Sequence, residues 1–225
     1  MSLIKRIQAW DSRKRTEANK ALVADFSVDA AERYVTWHDH GFFRRYWSNL
    51  HQIAPDVFRS NYPNGRRFPK LAELGIKTIL NLRGGAGSVP YLLEEHYCRD
   101  YGITMHTLNL NAHYAPDPKE LLALLDLFDT VEKPLLMHCK SGADRAGLAS
   151  ALYLIHSEGK SVAEAQTMLS FKYLHVNDRK TGIMGHTLRA YGRAQALTGV
   201  SLRDWFLREY DQEAEQAAFD AERRN

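Results

Sequence analysis

The chain has 225 residues, 44% hydrophobic and 25% charged, with a formal net charge of +3. That composition argues for a folded globular protein and against a disordered chain. The mild positive balance suits an acidic substrate such as a phosphate ester but is too small to point to nucleic acid. Two cysteines, Cys98 and Cys139, are too few for a disulfide scaffold, and no stretch approaches the ~20 apolar residues of a membrane span.

Residues 1–46 read as an N-terminal helical extension. Lys5 and Arg6 are not followed by an apolar core long enough for a signal peptide. The expectation is a cytoplasmic protein in a reducing compartment, with peripheral contact to a membrane left open. The aromatic cluster Tyr34, Trp37, Phe42, Phe43, Tyr46 and Trp47 reads as docking the extension onto the body rather than as a ligand surface. A central domain is expected over 47–200. Residues 57–59 suggest a short strand, and 69–74 a short helix stopped by Gly75. The β-branched, apolar run 76–82 predicts a buried strand. Residues 91–101 predict a helix ended by Gly102, and 103–110 another strand. Leu121, Leu122, Leu124, Leu125 and Phe128 form a helical stripe over 118–131, with Asp117 as N-cap and Pro118 at the first helical position. A third strand is expected at 134–137. The remainder is helical: 146–156 is apolar and buried, Ser161 with Glu164 makes a capping box, and Ser201 with Asp204 can open a last, charged helix over 201–225 that frays near Asn225. Strands alternating with helices imply an α/β fold with a mainly parallel central sheet flanked by helices.

The informative segment is His-Cys-Lys-Ser-Gly-Ala-Asp-Arg-Ala-Gly, residues 138–147. A buried strand delivers Cys139 to a short loop, and Arg145 opens an apolar helix. A helix N-terminus presents unpaired N–H donors and the positive end of a dipole. Successive inward N–H groups from Lys140, Ser141, Gly142, Ala143, Asp144 and Arg145 would form an anion nest. Gly142 lets the backbone approach the anion closely, and Gly147 allows tight packing of the helix. The same field stabilises a thiolate at Cys139. Arg145 can grip two phosphoryl oxygens with its planar fork. A thiolate beneath a held phosphate is set for in-line attack and a phosphocysteine intermediate.

His138, Cys139, Gly142, Arg145 and Gly147 resemble the H-C-x5-R-x-G signature of protein tyrosine and dual-specificity phosphatases. The likeness extends upstream through 51–60 and 71–83, and in all covers about Trp47 to Tyr173. The resemblance implies a cysteine-dependent phosphomonoester hydrolase that needs no cofactor or metal. Its substrate would be a phosphorylated protein, inositol or lipid, and His138 would support the loop and thiolate through hydrogen bonds. A metal-dependent enzyme is a poor alternative, because the histidines are scattered and His38 with His40 lacks a partner cluster.

Two positions depart from the family pattern. Where the family carries Ser or Thr after the arginine, this chain has Ala146, so turnover of the intermediate would be slow; Ser141 lies in the loop but need not reach the sulfur. The family's general-acid aspartate falls on a loop that here reads 111–118, where Asn111 cannot usefully give a proton. Asp117, Asp144 and His113 are the candidates, with Asp117 also readable as a helix cap. Lys140 resembles the lysine that follows the nucleophile in lipid- and inositol-phosphate-directed members and is equally readable as solvated. Cys98 resembles a second cysteine that pairs reversibly with the nucleophile in some relatives, and is also readable as core packing. The competing function is a catalytically weak phosphate-binding module.

Overall fold

The computed structural model describes residues 3–39, 41–177 and 180–224; His40 and Asn225 lie outside that set. Three helices open the chain: α1 (Leu3–Ala24), α2 (Val28–Trp37) and α3 (Gly41–Arg44). Ser27 caps α2 by accepting from the Ala30 N–H. A five-stranded sheet follows, in the order β1-β2-β5-β3-β4. Its strands are β1 (His51–Ala54), β2 (Val57–Asn61), β3 (Thr78–Asn81), β4 (Thr104–Thr107) and β5 (Leu135–Cys139). β1 and β2 form an antiparallel hairpin, and every other pairing is parallel. Between the strands lie α4 (Phe68–Glu73), α5 (Val89–Asp100) and α6 (Pro118–Thr130), followed by α7 (Arg145–His156) and α8 (Val162–Gln166). The chain ends in α9 (Ile183–Thr198), α10 (Leu202–Arg208) and α11 (Gln212–Glu222).

The parallel pairs put the C-terminal ends of β2, β3 and β5 side by side. Asn61 stands opposite Cys139, and Asn81 opposite His138. In an open α/β sheet that edge is where ligands bind. On β5, Leu135, Met137 and Cys139 belong to the large core shared with α6, α7 and α9, whereas Leu136 belongs to a second cluster with Phe68, Ile79 and Cys98. This is the period-2 alternation of a strand covered on both faces.

The structure departs from the sequence expectations in four places. β1 is an unexpected strand, too short and too mixed in polarity to show a period. The expected strand at 103–110 closes early, at Thr107, leaving only a bridge between Arg83 and Asn109. The expected last helix is two, with Ser201 capping α10 and Asp211 capping α11. Leu202, Trp205, Phe206 and Phe219 from this pair pack into the main core. Finally, the aromatics of the extension do not all dock it to the body: Trp37, Phe42, Phe43 and Tyr46 are exposed. The capping box at Ser161 and Glu164 forms as expected.

Candidate active site

The strand β5 ends at Cys139 and α7 starts at Arg145, so residues 140–144 must bridge a strand and a helix in one tight loop. The carbonyls of that loop are all tied outward. The Tyr62 N–H donates to Lys140 O at 3.3 Å, and Asn49 Nδ2 donates to Ser141 O at 3.2 Å. Arg59 Nη2 donates to Gly142 O at 2.6 Å and Ala143 O at 3.2 Å, and the Leu148 N–H donates to Asp144 O at 2.8 Å. With every carbonyl turned away, the peptide N–H groups turn inward. Among the described residues none of the N–H groups of Ser141 to Arg145 donates to a backbone carbonyl. The Ala143 N–H makes only a long contact of 3.4 Å to Ser141 Oγ, and such a row of donors ending at a helix N-terminus is an anion cradle. Gly142 makes it sterically feasible: its φ is +72°, and a Cβ there would lie 2.6 Å from the Asn61 nitrogen.

Arg59 was not legible as a site residue. It is fully buried beneath the loop, with a third bond from Nη1 to Met168 O at 2.7 Å and its guanidinium 3.9 Å from the Tyr173 ring centre. Burial pulls its pKa down to about 10, and Cys139, Tyr173 and Asp144 offset part of that shift. The one clue in the sequence was a cation in the middle of an otherwise buried strand, a position that needs partners to be tolerated.

Cys139 is buried at the base of the cradle. Arg145 stands at its rim, where Nη1 makes long contacts of 3.5 Å to Leu82 O and 3.4 Å to Leu110 O, and Nε is buried without a partner. These weak engagements leave the fork available to an anion. His138 is fully buried: Nδ1 is 3.4 Å from Cys139 O, and the ring meets Tyr62 edge-on. Its Nε2 lies 2.5 Å from Glu94 Oε1, close but out of line for a hydrogen bond, and Asn81 donates to the other carboxylate oxygen at 3.2 Å. Cys98 sits on the opposite face of the sheet from Cys139, and burial raises its pKa. The two thiols belong to different core clusters, which favours the core-packing reading of Cys98.

The acid candidates separate. Asp117 is exposed and caps α6, accepting from the Lys119 N–H at 2.8 Å. Asp144 pairs with His175, with Oδ1 2.8 Å from Nδ1. His175 is buried, and its Nε2 lies 3.1 Å from Asn177 Oδ1. Asp144 and His113 line one cavity of about 320 Å³ together with Lys180, and Asp117 is not part of it. Ala146 is fully buried and offers no hydroxyl. Ser141 Oγ sits 3.4 Å from the Ala143 N–H.

Lys140 is not a freely solvated lysine. Its Nζ is 3.1 Å from Asp39, a residue of the extension that also meets Arg83 at 2.9 Å and Arg44 at 2.7 Å. Burial alone would raise the Asp39 pKa, but Arg83, Arg44 and Lys140 outweigh it and hold the carboxyl below its usual value. One buried carboxylate thus joins the extension to the loop that follows Cys139.

Residues 56–160 match a family model described as "Polymorphic toxin system, DSP-PTPase phosphatase". Through this segment the chain is similar to the dual-specificity/protein tyrosine phosphatase-like family. The phosphatase-like segment is 30% identical over 119 residues to the dual specificity protein phosphatase TpbA of Pseudomonas aeruginosa, covering 49% of this chain and 48% of that protein. It is 31% identical over 111 residues to the inositol diphosphatase DSP5 of Arabidopsis thaliana, covering 44% and 50%. The chain thus spans about half the length of the curated relatives it matches. The fold is shared with the crystal structure of P. aeruginosa TpbA, at TM-score 0.52 and 22% identity over 77% of this chain and 96% of that one. It is also shared with the catalytic domain of the PP-IP phosphatase SIW14 from S. cerevisiae, at TM-score 0.52 and 17% identity over 68% and 96%. No described helix is long and apolar enough to cross a membrane.

Proposed function

We propose that this chain is a cysteine-dependent phosphomonoester hydrolase. The observation that carries the reading is the loop whose carbonyls are all bound outward, leaving a row of N–H donors over Cys139 and beside Arg145. In this reading the cradle and the Arg145 fork hold the phosphoryl oxygens, and the Cys139 thiolate attacks phosphorus opposite the ester oxygen. The P–O bond breaks as a proton passes to the departing oxygen. Water then attacks the phosphocysteine, the P–S bond breaks, and inorganic phosphate leaves with the thiolate restored. The proton donor is drawn from the His113 and Asp144 side of the cavity, since Asp117 is committed to its cap.

The substrate is a phosphorylated protein or an inositol or phospholipid phosphate. Among the relatives, TpbA has been solved in complex with pTyr, and DSP5 is an inositol diphosphatase. A second reading, a phosphate-binding module with weak turnover, is favoured by Ala146 and by the pairing of Asp144 with His175. A phosphate-release assay over phosphotyrosine peptides, inositol phosphates and phospholipids, with Cys139→Ser as control, tests both. Release that Cys139→Ser abolishes supports the enzyme. Binding of phosphate by both forms, with no release from any substrate, supports the module.

A further inference from the structure

A cavity of about 550 Å³ lies away from the catalytic loop, between α2, α3 and the turn that precedes α4. Arg33, Arg45 and Arg66 line it together with Trp37, Phe42 and Tyr97. Among the described residues no ion pair or hydrogen bond engages the guanidinium group of any of the three arginines. Their sequence neighbours behave differently: Arg44 is held by Asp39, and Arg67 by Arg44 O, Asn61 Oδ1 and Trp47 O. Among the described lining residues Glu32 is the one carboxylate, and its Oε1 accepts from the Gly65 N–H at 3.1 Å and the Tyr97 hydroxyl at 2.9 Å. Three guanidinium groups against the single Glu32 carboxylate leave the concavity with a net positive charge that an added anion would offset.

The surface beside this cavity is aromatic. Trp37, Phe43 and Tyr46 are 68%, 71% and 77% exposed, against the general tendency of such large rings to be covered. They are not scattered. Trp37 stacks on Phe42 at 6.1 Å, and Phe42 meets both Phe43 and Tyr46 edge-on at 5.8 Å. A contiguous exposed apolar patch rimmed by charge marks an interface. Rings of this kind favour the headgroup level of a bilayer, and arginine forks match phosphate.

We propose that this face docks on an anionic phospholipid surface, with a headgroup phosphate held in the cavity by Arg33, Arg45 and Arg66 and with Trp37, Phe43 and Tyr46 inserted among the headgroups. The docking face is coupled to the catalytic loop. Arg44 closes α3, binds Asp39, and Asp39 binds Lys140 beside Cys139. A bound bilayer would therefore fix the orientation of the loop relative to the membrane.

The full chain is tested by co-sedimentation with phosphatidylcholine vesicles, with and without phosphatidylserine. The expected result is binding to the anionic vesicles only, weakening as salt is raised. Replacing the three arginines together by glutamine should weaken vesicle binding about a hundredfold. Replacing Trp37, Phe43 and Tyr46 by alanine should weaken it at least about tenfold. Both variants should keep the parent's turnover of a soluble aryl phosphate, since none of these residues belongs to the catalytic loop. If the triple aromatic variant misfolds, Phe43→Asp alone, at a solvent-facing position, must show the loss. Equal binding to both vesicle types, or to neither, overturns the proposal. So does a soluble inositol phosphate that binds the three arginines without vesicles and regardless of the aromatic substitutions. Self-association of the parent that the aromatic variant abolishes would assign the face to a second copy and also overturn it. Vesicle binding is read without turnover, so an absence of phosphatase activity leaves this test intact and counts only against the proposed function.

Discussion

Arg59→Met isolates the device that turns the loop inside out. The substitution keeps an unbranched side chain of similar volume against Tyr173 but removes the donors to Met168 O, Gly142 O and Ala143 O, at 2.7, 2.6 and 3.2 Å. Hydrogen bonds from a charged group contribute about 1.5–3 kcal/mol each, and a buried carbonyl left unpaired carries its own desolvation cost. Counting only the two short bonds gives roughly 3–6 kcal/mol. Relief from burying a guanidinium, whose cost shows in the pKa drawn down to about 10, returns part of this. A net loss of about 3 kcal/mol corresponds to a fall in Tm of roughly 6–12 °C for a chain of this size. Site and scaffold are separated by repeating the melt with inorganic phosphate, the expected product. A ligand at a hundred times its Kd stabilises the parent by about 2.7 kcal/mol. In the variant that increment should vanish, because Gly142 O and Ala143 O are free to turn inward and displace the N–H groups. A variant that melts within about 2 °C of the parent and keeps the full phosphate increment would refute the reasoning.

Gly142→Ala should cost about 3 kcal/mol or more, from a positive φ of +72° and a Cβ placed 2.6 Å from backbone atoms of Ser60 and Asn61, and should remove phosphate binding; a thermal melt with and without phosphate reads both. Arg145→Lys should lose about a hundredfold or more in kcat/KM on an aryl phosphate despite keeping its charge, because one ammonium cannot replace a bidentate fork. His113→Asn, Asp144→Asn and Asp117→Asn should be compared on an alkyl phosphate and an activated aryl phosphate. Selective loss on the alkyl ester is expected for His113 or Asp144, while Asp117→Asn lowers stability by about 1 kcal/mol or less and affects both substrates alike. Asp39 has a folded pKa held below its ordinary 3.8, so its contribution is fully present above that value and is lost as pH falls through the folded pKa. Acid titration of the thermal melt should therefore show a flatter acid limb in Asp39→Asn than in the parent, with lower stability at neutral pH.

The strand-to-helix loop at 138–147 was readable because its chemistry is local. A thiol, a glycine, an arginine and a helix start lie within ten residues, and the backbone between Cys139 and Arg145 has few ways to connect a parallel strand to a helix. The helix caps at Asp117, Ser161 and Ser201 were readable for the same reason, since a cap and its partners are at most three residues apart. The sheet class followed from alternating strands and helices.

What tertiary structure alone decided is every contact made across long sequence separation. Arg59 reaches Gly142, Asn49 reaches Ser141, and Asp39 reaches Lys140 only because β2 pairs with β5 and the extension folds back over the loop. The same holds for the pairing of Asp144 with His175, which engages an acid candidate with a residue 31 positions away. β1 was hidden because four residues of mixed polarity carry no period, and a hairpin partner supplies what the local sequence lacks. The exposed rings at 37–46 were misjudged because hydrophobicity states that a side chain prefers to leave water, not which surface takes it; packing gave Val35 to the core and left Trp37 and Phe43 outside.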